Sequence, residues 1–234
     1  MDSKAAGLTL SLGIVIAIIG YILWQSTIGL DTKLDDITTI LQNSADGVNI
    51  LQIATIMVGV GLVVHAVGLL NTRGIAGGNS ENLGIFCIIT AIFIWVTSLS
   101  LSLAMAEMGE KYLAALPGAQ AGDATAISIV GSIEVAGGFT QSVQVAANSL
   151  AALLAGIGWI SVGIAYRGSD FKGALSFLPL GWLAILQGLI LVVAMIVINP
   201  LVSLEAGSQI SGISFVLIVL WSVSAGLKLY SSSD

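Results

Sequence analysis

Six apolar runs alternate with polar stretches along this chain. The run from Leu51 to Asn71, LQIATIMVGVGLVVHAVGLLN, shows the pattern: no formal charge, a close glycine pair, and the sole histidine of the protein, His65. At 1.5 Å of rise per residue, about twenty apolar residues cover the hydrocarbon core of a bilayer. The pattern predicts membrane helices over about 8–24, 51–70, 83–106, 147–166, 177–198 and 210–230. The expected fold is therefore all-α: one membrane domain over 1–234, a polytopic bundle of six transmembrane helices. Tyr21 and Trp24 stand at the far end of the first helix like interfacial anchors.

The polar stretches differ in kind. Leu30, Leu34, Ile37 and Leu41 recur at helical spacing with Asp31, Asp35 and Asp36 between them, which predicts an amphipathic helix over 30–46 lying across the outer ends of the bundle. The segment 71–82 is rich in Gly and Asn and reads as a turn region. The third helix is expected to continue past Glu107 to Leu116, where Pro117-Gly118 stops it. The segment 119–146 mixes Ala, Gly, Ser and Thr with scattered Ile and Val, and its weak periodicity predicts no definite element. Pro179 suits the first turn of the fifth helix, and Asn199-Pro200 is expected to end it.

Composition narrows the class. Charged residues make up 9% and hydrophobic ones 56%, against about 25% charged in a soluble domain, so the chain lacks polar surface to face water all round. A net charge of −6 leaves no basic footprint, and nucleic acid is not an expected partner. The single cysteine, Cys87, excludes an intrachain disulfide and a Cys-based zinc site. Charge also orients the chain. With the N-terminus inside, Lys4, Arg73, Arg167, Lys172 and Lys228 fall on inner segments, and only Lys33 and Lys111 on outer ones. Acidic residues sort the other way, nine outside against Asp2, Glu81, Asp170 and Asp234 inside. The positive-inside rule then places both termini in the cytoplasm, and the expected location is a prokaryotic plasma membrane.

Few residues carry candidate chemistry. His65 lies about one and a half turns from the inner end of its helix, where charge is costly, so a neutral imidazole is expected. Folding the next helix back brings Cys87 and Thr90 to a similar depth. Gln187 near the middle of the fifth helix and Asn148 near the outer end of the fourth are amides of the kind that hydrogen-bond between helices. With Ser98, Ser100 and Ser102 they could line a small polar cavity, and His65, Gln187 and Asn148 form the candidate polar intramembrane site. The default reading of each is structural. Ala147, Ala151 and Ala155, with Ala152 and Gly156, recur every four residues and allow close helix packing against a partner inside this chain or in another subunit. Trp95, Trp159 and Trp221 sit within helices, where core packing is expected. Glu107, Glu110 and Glu134 read as a solvated acidic surface, although two carboxylates at i and i+3 share a face that could hold a cation. The chain contains no G-x-S-x-G, no H-E-x-x-H and no phosphate-binding P-loop. No catalytic residue, metal ligand or cofactor is expected.

Two wider patterns remain. Gly59-Val60-Gly61 followed by Arg73-Gly74 echoes Gly156-Ile157-Gly158 followed by Arg167-Gly168, as two related hairpins would. Two inverted three-helix halves, with the first and fourth helices corresponding, are the other internal symmetry open to a six-helix chain, but no residue match between those helices supports it. Arg167-Gly168, Leu178-Pro179-Leu180 with Trp182-Leu183, Gly188, and Leu220-Trp221 with Gly226 resemble a prokaryotic family of six-helix integral membrane proteins of unknown function. That resemblance implies the architecture and no activity. The functional expectation is a non-enzymatic accessory, scaffold or sensory subunit, its partners the lipid bilayer and other membrane subunits or copies of itself. A small-molecule or ion transporter is the alternative, and a membrane enzyme subunit the third reading.

Overall fold

The computed structural model describes residues 3–175 and 177–232. Asp2 and Asp234, counted above among the inner acidic residues, and Ser176 lie outside the described residues. The protein is 86% helical and the described residues contain no strand. Its elements are α1 (Ser3–Ile28), α2 (Ile37–Asp46), α3 (Val48–Asn71), α4 (Gly78–Gln120), α5 (Ala124–Arg167), α6 (Leu180–Val193), a π-helical turn (Ala194–Ile198), α7 (Asn199–Leu201) and α8 (Leu204–Ser231). Six stretches are long and apolar enough to cross a membrane: α1, α3, α4, α5, the run Leu180–Leu201, and α8. This is the build of an integral membrane protein.

Several boundaries differ from the sequence expectation. Helix α4 has 43 residues and α5 has 44, each about 65 Å long at 1.5 Å per residue and twice the bilayer core. The segment 119–146 is therefore the tip of a helical hairpin. Pro117 lies inside α4 instead of ending it. The chain turns at Gly122, whose φ of +86° only glycine adopts readily. Asp123 then caps α5, accepting from the backbone N–H of Thr125 at 2.7 Å and of Ala126 at 3.0 Å. The amphipathic helix begins at Ile37 instead of residue 30, because the Asp36 carboxylate accepts from Thr39 N–H as its N-cap. Helix α6 starts at Leu180, with Pro179 as its N-cap. Asn199-Pro200 does not end that span. The π turn ahead of Pro200 re-registers the backbone, and the helix runs on to Leu201. Ser203 then caps α8 through Ala206 N–H at 3.1 Å.

The six spans form an up-and-down ring in chain order, with α8 closing on α1. Packing around the ring is uneven. Helix α1 is tight on α3 and α8, and α5 is tight on α4 and α6. Glycine explains this. A Cβ on Gly61 of α3 would stand 2.7 Å from the Gly13 carbonyl oxygen of α1, and one on Gly226 of α8 would stand 2.6 Å from that of Gly7. On the other side, Gly84 of α4 meets the Gly158 carbonyl at 2.7 Å, and Gly188 of α6 meets the Gly156 carbonyl at 2.6 Å. Bare backbone at these points lets helices approach closely, which gains van der Waals contact where lipid offers no hydrophobic drive. The ring is thus two trios, α3–α1–α8 and α4–α5–α6, joined by two looser seams. The α6/α8 seam is hydrogen-bonded: the Trp221 indole N–H donates to Leu180 O at 3.1 Å and the Ser214 hydroxyl to Gln187 O at 2.7 Å. At the α3/α4 seam Gly59 is in open contact, its Cβ position 3.9 Å from Leu99. The echo between the α3–α4 and α5–α6 hairpins is accordingly not repeated in packing, since α5–α6 is stitched by glycine and α3–α4 is not. The first and fourth spans, α1 and α5, do hold equivalent places as the centres of their trios.

Beyond the ring, α2 and the projecting ends of α4 and α5 form a small second core. Leu41, Met105, Ala106 and Tyr112 are buried there, with Ile37 and Ile133 packed against them. We call this the hairpin end and the opposite side the short-loop end.

Candidate functional site

Between the two trios runs a cavity of about 240 Å3, lined by α1, α3, α4, α5, α8 and the turn after α6. On α1 its wall extends from Ile14 to Trp24. His65, whose backbone lies against Gly13 of α1, is at its deep end, and on α5 the wall runs from Gln144 to Trp159, so the cavity is about 20 Å long by the helix rise. Leu34 and Leu204 border it at the hairpin end. Toward the short-loop end the bundle is filled: Trp159 and Trp221 pack edge to face at 4.9 Å, and Tyr166 meets Trp221 at 5.5 Å. Trp159 and Trp221 thus take the core places expected of them. Trp95 packs against the same core and, like Trp159, also borders the cavity, in a row of rings with Phe215 at 5.6 Å and Tyr21 at 6.2 Å from Phe215.

No charged side chain lines this cavity among the described residues. Most of its polar groups are already occupied. The Ser98 hydroxyl donates to Asn148 Oδ1 at 2.8 Å, and the Ser211 hydroxyl to Gly207 O at 2.8 Å. Gln144 lines the wall and donates to Ser102 at 2.8 Å. His65 is different. Its Nδ1 lies 3.0 Å from Leu10 O. A carbonyl oxygen only accepts, so Nδ1 carries the proton, and in the neutral ring Nε2 presents a lone pair. The residue is 2% exposed and Nε2 has no hydrogen-bond partner among the described residues. Trp24 Nε1 and Asn199 Oδ1, at the hairpin end of the cavity, are likewise without one.

The structure therefore brings His65 and Asn148 to one cavity and leaves Gln187 out of it. Gln187 is fully buried, with its backbone carbonyl bonded to Ser214 at the α6/α8 seam. Thr90 bonds Phe86 O of its own helix at 2.9 Å, and the partner of His65 is the backbone of α1. Ser100 bonds Thr97 O at 2.7 Å on an exposed face. Ala151 and Ala155 are completely buried, Ala147 is half-buried, and Gly156 meets α6, so that small-residue face packs within the chain.

Outside the bundle, Glu107 pairs with Lys111 at 2.8 Å on an exposed face, and the lysine holds the Glu107 carboxyl below its ordinary value. The Tyr112 hydroxyl donates to Glu134 at 3.3 Å. Burial and the facing carboxylate push the Tyr112 phenol up.

Sequence reasoning passed over Glu81, which it counted only as an inner charge. The side chain is 1% exposed. Its Oε2 accepts the N–H groups of Gly74 at 2.7 Å and Gly77 at 3.0 Å, and its Oε1 accepts that of Ala76 at 3.1 Å. Positive φ at Gly74 and Gly77 turns these donors inward. A carboxylate a few residues after a Gly-rich turn, in the first turn of a helix, was the available signal. This group latches the α3–α4 loop.

Comparison with family models, with curated proteins and with solved structures finds no match to this chain.

Proposed function

We propose that this protein is a non-enzymatic integral membrane subunit that receives a small uncharged lipophile in the chamber between its two trios, in a sensory or accessory role. The chamber carries the reading. An ion in the bundle needs a counter-charge or a wet path, and the lining holds no Asp, Glu, Lys or Arg. An engineered apolar cavity of roughly 150 Å3 already takes benzene, so about 240 Å3 accommodates a somewhat larger molecule. The same proposal puts both termini in the cytoplasm of a prokaryotic cell, on the strength of five of seven basic residues at the short-loop end. Its link to a prokaryotic six-helix family rests on the residues quoted above. The accessory side of the role is supported by the outer half of α5, where Val135 and Phe139 are more than 70% exposed and Glu134 is the only charge beyond the Asp123 cap.

Thermal unfolding in lipid nanodiscs tests it. Matched neutral and charged lipophiles are added to the wild type and to Ala152→Phe, which fills the chamber. Neutral compounds raise the midpoint of the wild type alone. Equal shifts in both proteins, or shifts with charged compounds only, overturn the proposal.

A transporter is the second reading, favoured by the seams. Two trios tight within themselves and loosely joined can rock about an internal site, as alternating access requires. A disulfide placed across the α3/α4 seam abolishes flux on that reading and leaves binding intact on the first.

A further inference from the structure

We infer that the short-loop end of the α5/α6 pair is a binding site for an anionic phospholipid: the Arg167 guanidinium, held over the Trp182 indole, receives the lipid phosphate, and an acyl chain lies along the exposed apolar side of the two helices. The site is separate from the chamber and does not rest on the reading given to it.

Local structure presents the guanidinium. Arg167 is the last residue of α5, and Trp182 lies in the first turn of α6. The two helices meet at Gly181, where a Cβ would stand 2.6 Å from Arg167 N and 2.8 Å from its Cγ. Bare backbone there lets the arginine stem cross α6. The guanidinium carbon then lies 4.2 Å from the centre of the Trp182 ring, where the ring quadrupole attracts a cation. That contact uses the face of the guanidinium and leaves its edge, which carries five N–H donors. Arg167 makes no hydrogen bond or ion pair among the described residues. It is exposed, and Trp182 is 55% exposed, so the pair is open to the surroundings of the bundle.

Charge selects an anion. The α5–α6 loop also carries Asp170 and Lys172, whose ammonium donates to Ser169 O at 3.2 Å, so with Arg167 it is net positive. The α3–α4 turn is balanced instead, Arg73 against Glu81, and Arg73 Nε is engaged by Asn82 Oδ1. A guanidinium edge matches phosphate with parallel N–H···O bonds. The neighbouring surface selects lipid over free phosphate. Trp182, Leu186, Leu189 and Val193 fall at i, i+4, i+7 and i+11, one stripe about 16 Å long by the helix rise, and all four are exposed. Ile164 and Ile157 are exposed on α5 in the same direction from Arg167. An acyl chain covers such a stripe while its headgroup stays at the cation, in the interfacial zone that tryptophan favours.

The chain has two arginines, Arg73 and Arg167, so protein labelled with 15N-arginine gives two guanidinium signals, and Arg73→Gln identifies which belongs to Arg167. In phosphatidylcholine nanodiscs, phosphatidylglycerol is expected to shift the Arg167 signal saturably and leave that of Arg73 in place, while glycerol 3-phosphate shifts neither. Native mass spectrometry then counts retained lipid from an equimolar mixture. Phosphatidylglycerol should exceed phosphatidylcholine by about fivefold, the value of one basic residue at an anionic surface. Arg167→Gln should erase that excess, and Lys111→Gln at the hairpin end should keep it. The NMR arm uses the wild-type side chain, so it stands even if Arg167→Gln misfolds. An Arg167 signal left in place by phosphatidylglycerol, or an excess that survives Arg167→Gln, overturns the site. An equal response to glycerol 3-phosphate overturns lipid as its occupant. Neither result touches the chamber.

Discussion

Helix α3 faces two neighbours and treats them oppositely. Toward α1 it presents Gly61 and Gly68, so the two backbones touch: a Cβ on Gly61 would stand 2.5 Å from Ala17 N. Toward α4 it presents Gly59, with nothing closer than 3.9 Å. At the hairpin end this second side opens into a crevice bordered by Gln52, Ile56 and Leu103. The same residue type two positions apart therefore marks a weld on one face and a seam on the other. Glycine in a membrane helix is not by itself a packing site. It becomes one where the facing backbone comes into contact, as Ala17 and Leu10 of α1 do at Gly61 and Gly68.

The sharpest way to break this comparison is to make one substitution at both places. Gly61→Ala drives a methyl into the α1 backbone and is expected to cost about 3 kcal/mol, at the upper end of overpacking penalties. Gly59→Ala should be neutral or slightly stabilising, because it removes a flexible residue from a helix without a clash. Unfolding in mixed micelles measures both, and equal costs would remove the distinction between weld and seam.

The Glu81 latch comes next in size. Glu81→Gln keeps the shape but removes the charge that three N–H groups share, and should cost about 2 kcal/mol by the strength of hydrogen bonds to charged groups. Hydrogen exchange at Gly74, Ala76 and Gly77 should accelerate while α5–α6 amides do not change.

The outer core tests the same idea where water, not lipid, surrounds the helices. The Tyr112 phenol has a raised pKa from burial and from Glu134. A raised value means that the folded state holds the proton more tightly. The stability contributed by Tyr112 is therefore fully present below about pH 10, the ordinary phenol value, and is lost as pH rises through the raised one. The hairpin should loosen in that alkaline window and Tyr112→Phe should abolish the effect, as followed by circular dichroism. The Glu107–Lys111 pair, exposed on both sides, is expected to contribute least. Lys111→Ala should shift the melting midpoint by no more than surface pairs do.

Most of the ring was legible in the sequence because a bilayer imposes one strong rule: apolar residues for about twenty positions. What lay outside lipid was less legible. The segment 119–146 looked indefinite because α5 satisfies its backbone within the helix and packs through Gly137 against Ile37 and Leu41 of α2, a contact between residues a hundred positions apart. Pro117 and Pro200 read as stops, yet both sit inside helical runs. A proline removes one donor and strains one turn, and a π turn or a nearby helix end absorbs that. The site was half legible. His65 stood out as the sole imidazole in an apolar run, but its partner, Leu10 O, is a backbone atom with no sequence signal. Gln187 looked as good a candidate as His65, a polar side chain within an apolar run. Helix rotation decides which of them meets the chamber, and a near-uniform apolar helix carries almost no record of its rotation.

The central claim is that the space between the trios admits a neutral molecule. Crystals grown with 4-bromophenol and measured at the bromine absorption edge test it most directly. The account predicts an anomalous peak inside the ring, between α1 and α5, on the His65 side of Trp95. Bromine found only on the lipid-facing surface of the helices would contradict it.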